Sequence, residues 1–196
     1  MNVFILCTGR CGSAAIIKAC HEIKNFSADH ESLSKETGES RLAYPANHIE
    51  ADNRLSWFLG RLDNTYGNEA YYIHLTRDKN ATAQSLNKRW YKYGIIPAYA
   101  RGILKSDRKD LDIALDYIDT INSNISHFLK DKTHVKHMSL DHIKSDFKEM
   151  WDWIGAEGDL QAALESFDKP ENSSKTNFSL RNQINMAIFA IKQMFR

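Results

Sequence analysis

The chain has 196 residues, 42% of them hydrophobic and 26% charged, with a formal net charge of +1. This size and composition predict one soluble globular domain over residues 1–196, and the near-neutral charge argues against nucleic acid as a partner. No run reaches the roughly 20 apolar residues of a membrane span, and the N-terminus lacks the basic leader of a signal peptide. Three cysteines, an odd number, favour a reducing cytoplasm over a disulfide framework.

Charge is distributed unevenly along the chain. Residues 77–109 hold nine Lys or Arg and two Asp, whereas residues 110–171 hold fourteen acidic and six basic residues. Such blocks are as often solvated helix faces as functional surfaces. The alternative interpretation is that the basic block borders an anion site.

Apolar runs of strand type alternate with segments of helical periodicity. Strands are predicted at residues 2–7, 26–30, 70–76 and 133–140. Helices are predicted at residues 14–23, 52–66, 78–91, 111–130, 143–154, 160–167 and 180–195. Residues 94–105 and 169–177 contain proline and are predicted to be loops. This alternation predicts an α/β domain with a largely parallel sheet.

The strongest local signal lies in residues 3–18, where a buried strand enters Thr8-Gly9-Arg10-Cys11-Gly12-Ser13 and a helix follows. This arrangement gathers backbone N–H groups around one point, and the helix N-terminus adds partial positive charge. Gly9 and Gly12 can adopt backbone angles closed to other residues, and Arg10 adds a cation with bidentate reach. We predict a phosphate or sulfate site here; the alternative is a plain strand-to-helix turn with a surface Arg. The nucleoside-triphosphatase motif is absent because no Lys precedes Ser13.

The loop resembles that of the sulfotransferases that use 3′-phosphoadenosine-5′-phosphosulfate (PAPS), whose form is [KR]-x-G-[ST]-[ST]. Arg10-Cys11-Gly12-Ser13 matches this form and Ala14 departs from it, which removes one expected hydroxyl contact. The resemblance implies a three-layer P-loop-like fold with a small, mostly parallel central sheet flanked by helices. It also implies that Arg10 stabilises charge on the bridging oxygen and that the 5′-phosphosulfate is bound by Gly9, Arg10, Cys11, Gly12, Ser13 and Ala14.

A second block strengthens the resemblance. In the family a strand ends in Arg-Asp-Pro, and a Ser eight residues after the Arg joins it in holding the 3′-phosphate; here the pair is Arg77 and Ser85, with Lys79 in the proline place. Arg89, four residues beyond Ser85 on the same predicted helix face, is either a third donor or a surface charge. Lys175 lies where the family has a late loop over the nucleotide. The resemblance spans residues 3–177, but only the two blocks are specific.

Sulfuryl transfer to an alcohol needs a base that takes the acceptor's proton. Branches of the family place a Glu, or a His, shortly after the second strand. Glu31 is therefore predicted as the general base, with His30 as its rival and His48 as a weaker candidate. The alternative is that Glu31 and His30 cap a loop or pair with a surface cation. The chemistry requires no metal, and the sequence has no ligand cluster that argues for one.

The resulting hypothesis is a PAPS-dependent sulfotransferase that modifies a hydroxyl or amine of a small-molecule or carbohydrate acceptor. Residues 33–53 and 94–108 are expected to shape the acceptor pocket, and the basic character of the second range favours an anionic acceptor such as a sugar acid. Two alternatives remain open: a nucleotide-binding protein without transferase activity, and a P-loop nucleotide kinase. The oligomeric state is not predicted.

Overall fold

A computed structural model describes residues 1–90 and 94–168. Its five strands are β1 (Asn2–Leu6), β2 (Ser27–His30), β3 (His48–Ala51), β4 (Tyr71–Thr76) and β5 (Val135–Ser139). Its helices are α1 (Ser13–Cys20), α2 (Leu59–Tyr66), α3 (Lys79–Asn87), α4 (Ile95–Ala98), α5 (Leu111–Leu129), α6 (Ile143–Ile154) and α7 (Leu160–Ser166). Short 3₁₀ turns occupy Gly38–Leu42, Asn53–Trp57 and Leu140–His142.

The five strands form one parallel sheet in the order β2-β3-β1-β4-β5. Strand β1 is central and all five of its residues are buried, as expected for a strand covered on both faces. Strands β2 and β3 lie on one side of β1 in the sheet, and β4 and β5 lie on the other. The loop after β1 therefore lies at the carboxyl edge where the strand order reverses, the place where open α/β sheets bind ligands.

Helices cover both faces of the sheet, each over its own hydrophobic cluster. On one face the side chains of Val3 and Ile5 pack with residues of α1, α6 and α7. On the other face Phe4 and Leu6 pack with residues of α3 and α5. The alternation along β1 sends successive side chains to opposite faces. The predicted α/β fold, three-layer and P-loop-like with helices flanking a small sheet, is confirmed.

Two sequence-based expectations were wrong between residues 33 and 66. Strand β3 was not predicted, and its residues had been assigned to the acceptor pocket; all four are buried. The predicted helix over residues 52–66 is divided into a 3₁₀ turn and α2. The division has local causes: Asp52 accepts a hydrogen bond from the Arg54 N–H at 2.8 Å, and Ser56 Oγ donates to the Cys7 carbonyl at 3.2 Å. These contacts tie the turn to the sheet edge before α2 begins.

The predicted loop at residues 94–105 is also wrong, because α4 and a π-helical turn at Tyr99–Ile103 occupy most of it. Pro97 is the third residue of α4, where a backbone N–H would have no intrahelical acceptor, so proline is tolerated there. The predicted loop at 169–177, the predicted helix at 180–195 and Lys175 lie outside the described residues.

Candidate functional site

The loop between β1 and α1 has the backbone geometry that its sequence predicts. Gly9 and Gly12 have φ values of 79° and 93°, and Arg10 has a φ of 62°. Helix α1 starts directly after Gly12, whose carbonyl accepts hydrogen bonds from Ala15 and Ile16 at 3.0 and 3.1 Å. A left-handed non-glycine residue such as Arg10 costs about 1–3 kcal/mol and is enriched at functional sites.

Neighbouring side chains pack closely against both glycines of the loop. A Cβ atom at Gly12 would lie 2.5 Å from Leu140 Cδ1, and one at Gly9 would lie 3.1 Å from Asn53 Nδ2. Conformation and space therefore both favour glycine at position 12, because a larger residue would have to adopt a left-handed φ and displace the Leu140 side chain.

We expect Gly12→Ala to destabilise the protein by about 1–3 kcal/mol, because it combines a left-handed φ with a steric overlap. Urea unfolding of the wild type and the variant measures this loss. Gly60→Ala is the matched control, since a Cβ there meets no atom within 4 Å, and in a helix it should be neutral or stabilising by up to about 1 kcal/mol. Equal stability of the two variants would contradict the packing described for Leu140.

The structure brings the two predicted phosphate blocks together. Arg10 Nε donates to Ser85 Oγ at 3.1 Å, and Arg77 Nη1 donates to the Arg10 carbonyl at 3.2 Å. Arg77 follows β4 and Ser85 lies within α3, so three elements meet beside the loop. The site thus combines two guanidinium groups, one hydroxyl and a helix N-terminus, which is a donor set suited to phosphate or sulfate.

The other predicted nucleotide contacts are placed less favourably. Helix α3 ends at Asn87, so Arg89 does not share a helix face with Ser85 as predicted; it is exposed in the turn that follows. Ala14 is the second residue of α1 and adds no polar side chain. Asp78 caps α3 by accepting from the Ala81 N–H at 2.7 Å, while Lys79 pairs with Asp119 at 2.6 Å.

The two candidate bases end up in different surroundings. His30, the last residue of β2, hydrogen-bonds through Nε2 to Ser13 Oγ at 3.0 Å, and so it touches the first residue of α1. Glu31 has a φ of 56°, and its carboxylate pairs with Arg54 at 2.6 Å. Both side chains lie at the carboxyl edge of the sheet, but only His30 has a hydrogen bond to the loop–helix junction.

His48, the third candidate, does not face this edge. It is 1% exposed, and its ring nitrogens contact Ser27 Oγ at 2.8 Å and Glu50 Oε2 at 3.1 Å. Tyr44 stacks against the ring at 5.5 Å between centroids. With both nitrogens engaged and the ring buried, His48 is a structural residue of the β2–β3 pair.

Two buried cysteines, Cys7 and Cys11, lie between β1 and α1. The pKa of Cys11 is lowered, first by a hydrogen bond with the Cys7 side chain and then by backbone N–H groups of the loop, although burial opposes this. The pKa of Cys7 is raised by the same contact with Cys11 and by burial.

Three residues near the loop had no predicted role there, and one of them, Asn53, was placed only in the acceptor-pocket range 33–53. Asn53 and Arg54 follow β3 and contact Gly9 and Glu31. Tyr117 of α5 is buried, which raises its pKa, and its hydroxyl donates to the Thr8 carbonyl at 3.2 Å. A prediction of β3 would have signalled the first two, because residues that follow parallel strands gather at one edge. No sequence signal distinguishes Tyr117 from the other apolar positions of α5.

In residues 1–90 and 94–168, no three His, Cys, Asp or Glu side chains are grouped as a metal site would need. Within the same residues, no helix has both the length and the apolar character required to cross a membrane.

No protein-family model and no curated protein matches the chain. A match exists among solved structures: the crystal structure of the YorR protein of Bacillus subtilis in complex with phosphorylated GDP. The two chains share a fold. Their sequence identity is 16%, the match covers 79% of this chain and 96% of YorR, and the TM-score is 0.50.

Proposed function

We propose that this protein binds a phosphate-bearing nucleotide at the β1–α1 loop and transfers a sulfuryl group from PAPS to a hydroxyl or amine of an acceptor. The convergence of Arg10, Arg77 and Ser85 beside the loop is the observation that carries the proposal. These residues come from the two sequence blocks that resemble the sulfotransferases, and they lie 67 and 75 positions apart in hydrogen-bond contact. The complex of YorR with phosphorylated GDP supports a nucleotide as ligand for this fold.

The residues fit the phosphate groups of such a co-substrate. PAPS supplies the sulfuryl group, which leaves a phosphate oxygen as the acceptor oxygen attacks sulfur. The loop N–H groups and Ser13 would hold the 5′-phosphosulfate, and Arg77 with Ser85 would hold the 3′-phosphate. Arg10 would stabilise the charge that grows on the departing phosphate, a contribution that is largest in the transition state.

His30 is the better placed of the two candidate bases. Its Nε2 contacts Ser13, which would also border the sulfuryl group, whereas the Glu31 carboxylate is paired with Arg54. A base must reach the acceptor hydroxyl where that hydroxyl meets sulfur. We therefore assign proton removal to His30 and keep Glu31 as the second candidate.

Thermal shift assays with 3′,5′-ADP, ADP and ATP, each with and without magnesium, test the nucleotide part of the proposal. We expect 3′,5′-ADP to raise the Tm most, and equally in both conditions. Binding of ATP or ADP that requires magnesium would instead indicate a nucleotide kinase. Strong 3′,5′-ADP binding without transfer to any acceptor would indicate a binding protein.

Arg77→Ala and Ser85→Ala should weaken 3′,5′-ADP binding far more than 5′-AMP binding, because both residues are assigned to the 3′-phosphate. A charge-assisted hydrogen bond contributes about 1.5–3 kcal/mol, so the Arg77 change should raise the Kd for 3′,5′-ADP about 10- to 100-fold. Isothermal titration calorimetry with both nucleotides measures the difference. Arg61→Ala, which removes an exposed guanidinium from α2, is the matched control and should change neither Kd. Equal losses for the two nucleotides would show that Arg77 and Ser85 act through Arg10, which both of them contact, and that their assignment to the 3′-phosphate is wrong.

A further inference from the structure

A buried chain of polar side chains lies under the turn that carries both candidate bases. Glu50 of β3 is 0% exposed. Its Oε1 accepts from the Ser32 backbone N–H at 3.0 Å, and its Oε2 accepts from Ser32 Oγ at 2.5 Å. His48 Nε2 also contacts Oε2 at 3.1 Å. A fully buried carboxylate is costly unless its oxygens are satisfied, so this one needs each of these partners.

The contact with Ser32 fixes the backbone where β2 ends. Glu31 has a left-handed φ of 56°, and its N–H continues the ladder by donating to the Ala51 carbonyl at 3.1 Å. The next residue is Ser32, and Glu50 accepts hydrogen bonds from both the N–H and the hydroxyl of Ser32. A strained residue keeps its conformation only when its surroundings enforce it, and here the Glu50 carboxylate holds the residue that follows Glu31, while Ala51 and Ser34 hold the Glu31 backbone.

Both candidate bases adjoin this turn: His30 ends β2, where it pairs with Ala51, and Glu31 follows it. His30 contacts Ser13 Oγ, and Glu31 contacts Arg54, from neighbouring positions of the same short segment. A shift of the turn would reach its immediate neighbour His30 and would move the imidazole relative to Ser13 at the start of α1. A misplacement of about 1 Å in a reacting group can cost roughly 10²-fold in rate.

We propose that Glu50, through its two hydrogen bonds to Ser32, is a positioning residue that holds His30 against Ser13 at the phosphate loop. The role of His30 in catalysis rests on the function proposed above, whereas the placement of its ring does not. Glu50 touches neither ligand nor reacting atoms and acts only through the turn.

Two variants separate this role from a general loss of stability. Glu50→Gln keeps the size of the side chain but replaces one acceptor oxygen with an NH2 group, so one oxygen is left to accept from the Ser32 N–H, the Ser32 hydroxyl and His48. Ser32→Ala removes only the hydroxyl and leaves the fold's backbone contacts. Ser32→Thr restores the hydroxyl and is the conservative rescue. Ser27→Ala is the matched control. Ser27 also belongs to this row of hydrogen-bonded side chains, but it contacts His48 at the end opposite to Ser32.

The first readout is the NMR signal of the His30 ring, which needs no activity. We expect Glu50→Gln and Ser32→Ala to move this signal in the same direction as Ser13→Ala, while Ser32→Thr and Ser27→Ala leave it near the wild-type position. An unmoved His30 signal in both Glu50→Gln and Ser32→Ala overturns the proposal. Should Glu50→Gln fail to fold, Ser32→Ala and its threonine rescue decide the result alone.

The second readout is sulfuryl transfer from radiolabelled PAPS. We expect kcat to fall about 10- to 100-fold in Glu50→Gln, with the Kd for 3′,5′-ADP unchanged. Equal loss of turnover and nucleotide affinity would indicate a merely structural residue and overturn the positioning role. If the wild type transfers nothing while the His30 signal moves as expected, the positioning of His30 stands and the proposed reaction fails.

Discussion

His30→Gln is expected to lower the rate of sulfuryl transfer by about 10²–10⁴, the usual loss when a general base is removed. The amide of Gln can form the hydrogen bond to Ser13 Oγ that His30 Nε2 makes in the wild type. The contact with the start of α1 is then retained, while the group that accepts the proton is removed. The Kd for 3′,5′-ADP should therefore stay within about threefold of wild type. The measurement is single-turnover transfer from radiolabelled PAPS, after a screen of sugars, lipids and phenols has found an acceptor.

Glu31→Gln is the matched comparison and should be milder. Its carboxylate lies in a half-exposed pair with Arg54, with side chains 31% and 42% exposed, and such pairs contribute little on their own. An inactive Glu31→Gln beside an active His30→Gln would make Glu31 the base, as the sequence alone suggested. If both variants remain active, neither side chain removes the proton, and His48 is not a substitute because it is buried between Ser27 and Glu50.

Arg41→Ala is expected to destabilise the fold by about 3–5 kcal/mol, the range for breaking a buried ion pair from one side. Arg41 and Asp52 are 2% and 0% exposed and meet at 2.5 Å. Burial alone would lower the pKa of Arg41, but the neighbouring Asp52 carboxylate and Tyr44 hydroxyl outweigh burial and raise it. Removing the guanidinium leaves the Asp52 charge without its partner in the core. At about 2–4 °C per kcal/mol for a chain of this size, the Tm should fall by about 6–20 °C.

Differential scanning calorimetry and urea unfolding measure this effect. The double variant Arg41→Met/Asp52→Asn removes both charges and keeps an amide oxygen for the Arg54 N–H, so it should recover much of the lost stability. Lys144→Ala breaks a pair of similar length, 2.6 Å, whose side chains are 49% and 64% exposed, and should cost at most about 1 kcal/mol. A loss in Arg41→Ala as small as that of Lys144→Ala would refute the importance of the buried pair.

The central part of the fold follows from local sequence rules. Strand β1 is a continuous apolar run ended by Gly9, and α5 has an uninterrupted helical stripe; both elements have the predicted type and nearly the predicted bounds. The meeting of Arg10, Arg77 and Ser85 was also within reach, because parallel strands bring their carboxyl ends to one edge. The two elements depend on patterns that a short window of sequence contains, whereas the meeting of the three side chains depends on the parallel arrangement of strands far apart in the chain.

Strand β3 was missed because its four residues, His-Ile-Glu-Ala, include two polar side chains that would ordinarily face water. These two polar side chains can be buried because residues of other segments contact them. Ser27 hydrogen-bonds His48, Tyr44 stacks on the His48 ring, and Ser32 hydrogen-bonds Glu50. Likewise, the different surroundings of His30 and Glu31 arise because Glu31 pairs with Arg54, a residue that follows the missed strand. Partners contributed by distant segments cannot be inferred from local periodicity.

The position of β1 in the middle of the sheet has a consequence for synthesis on the ribosome. It is made before the other four strands of the sheet, yet its neighbours are β3 and β4, and the latter ends only at Thr76. At about 5–20 residues per second, the apolar run waits several seconds for its second neighbour. During that time its edge is open to pairing with other chains. The strand that leads into the β1–α1 loop therefore stays open to wrong pairing until β4 is made, and early binding by a chaperone would protect it.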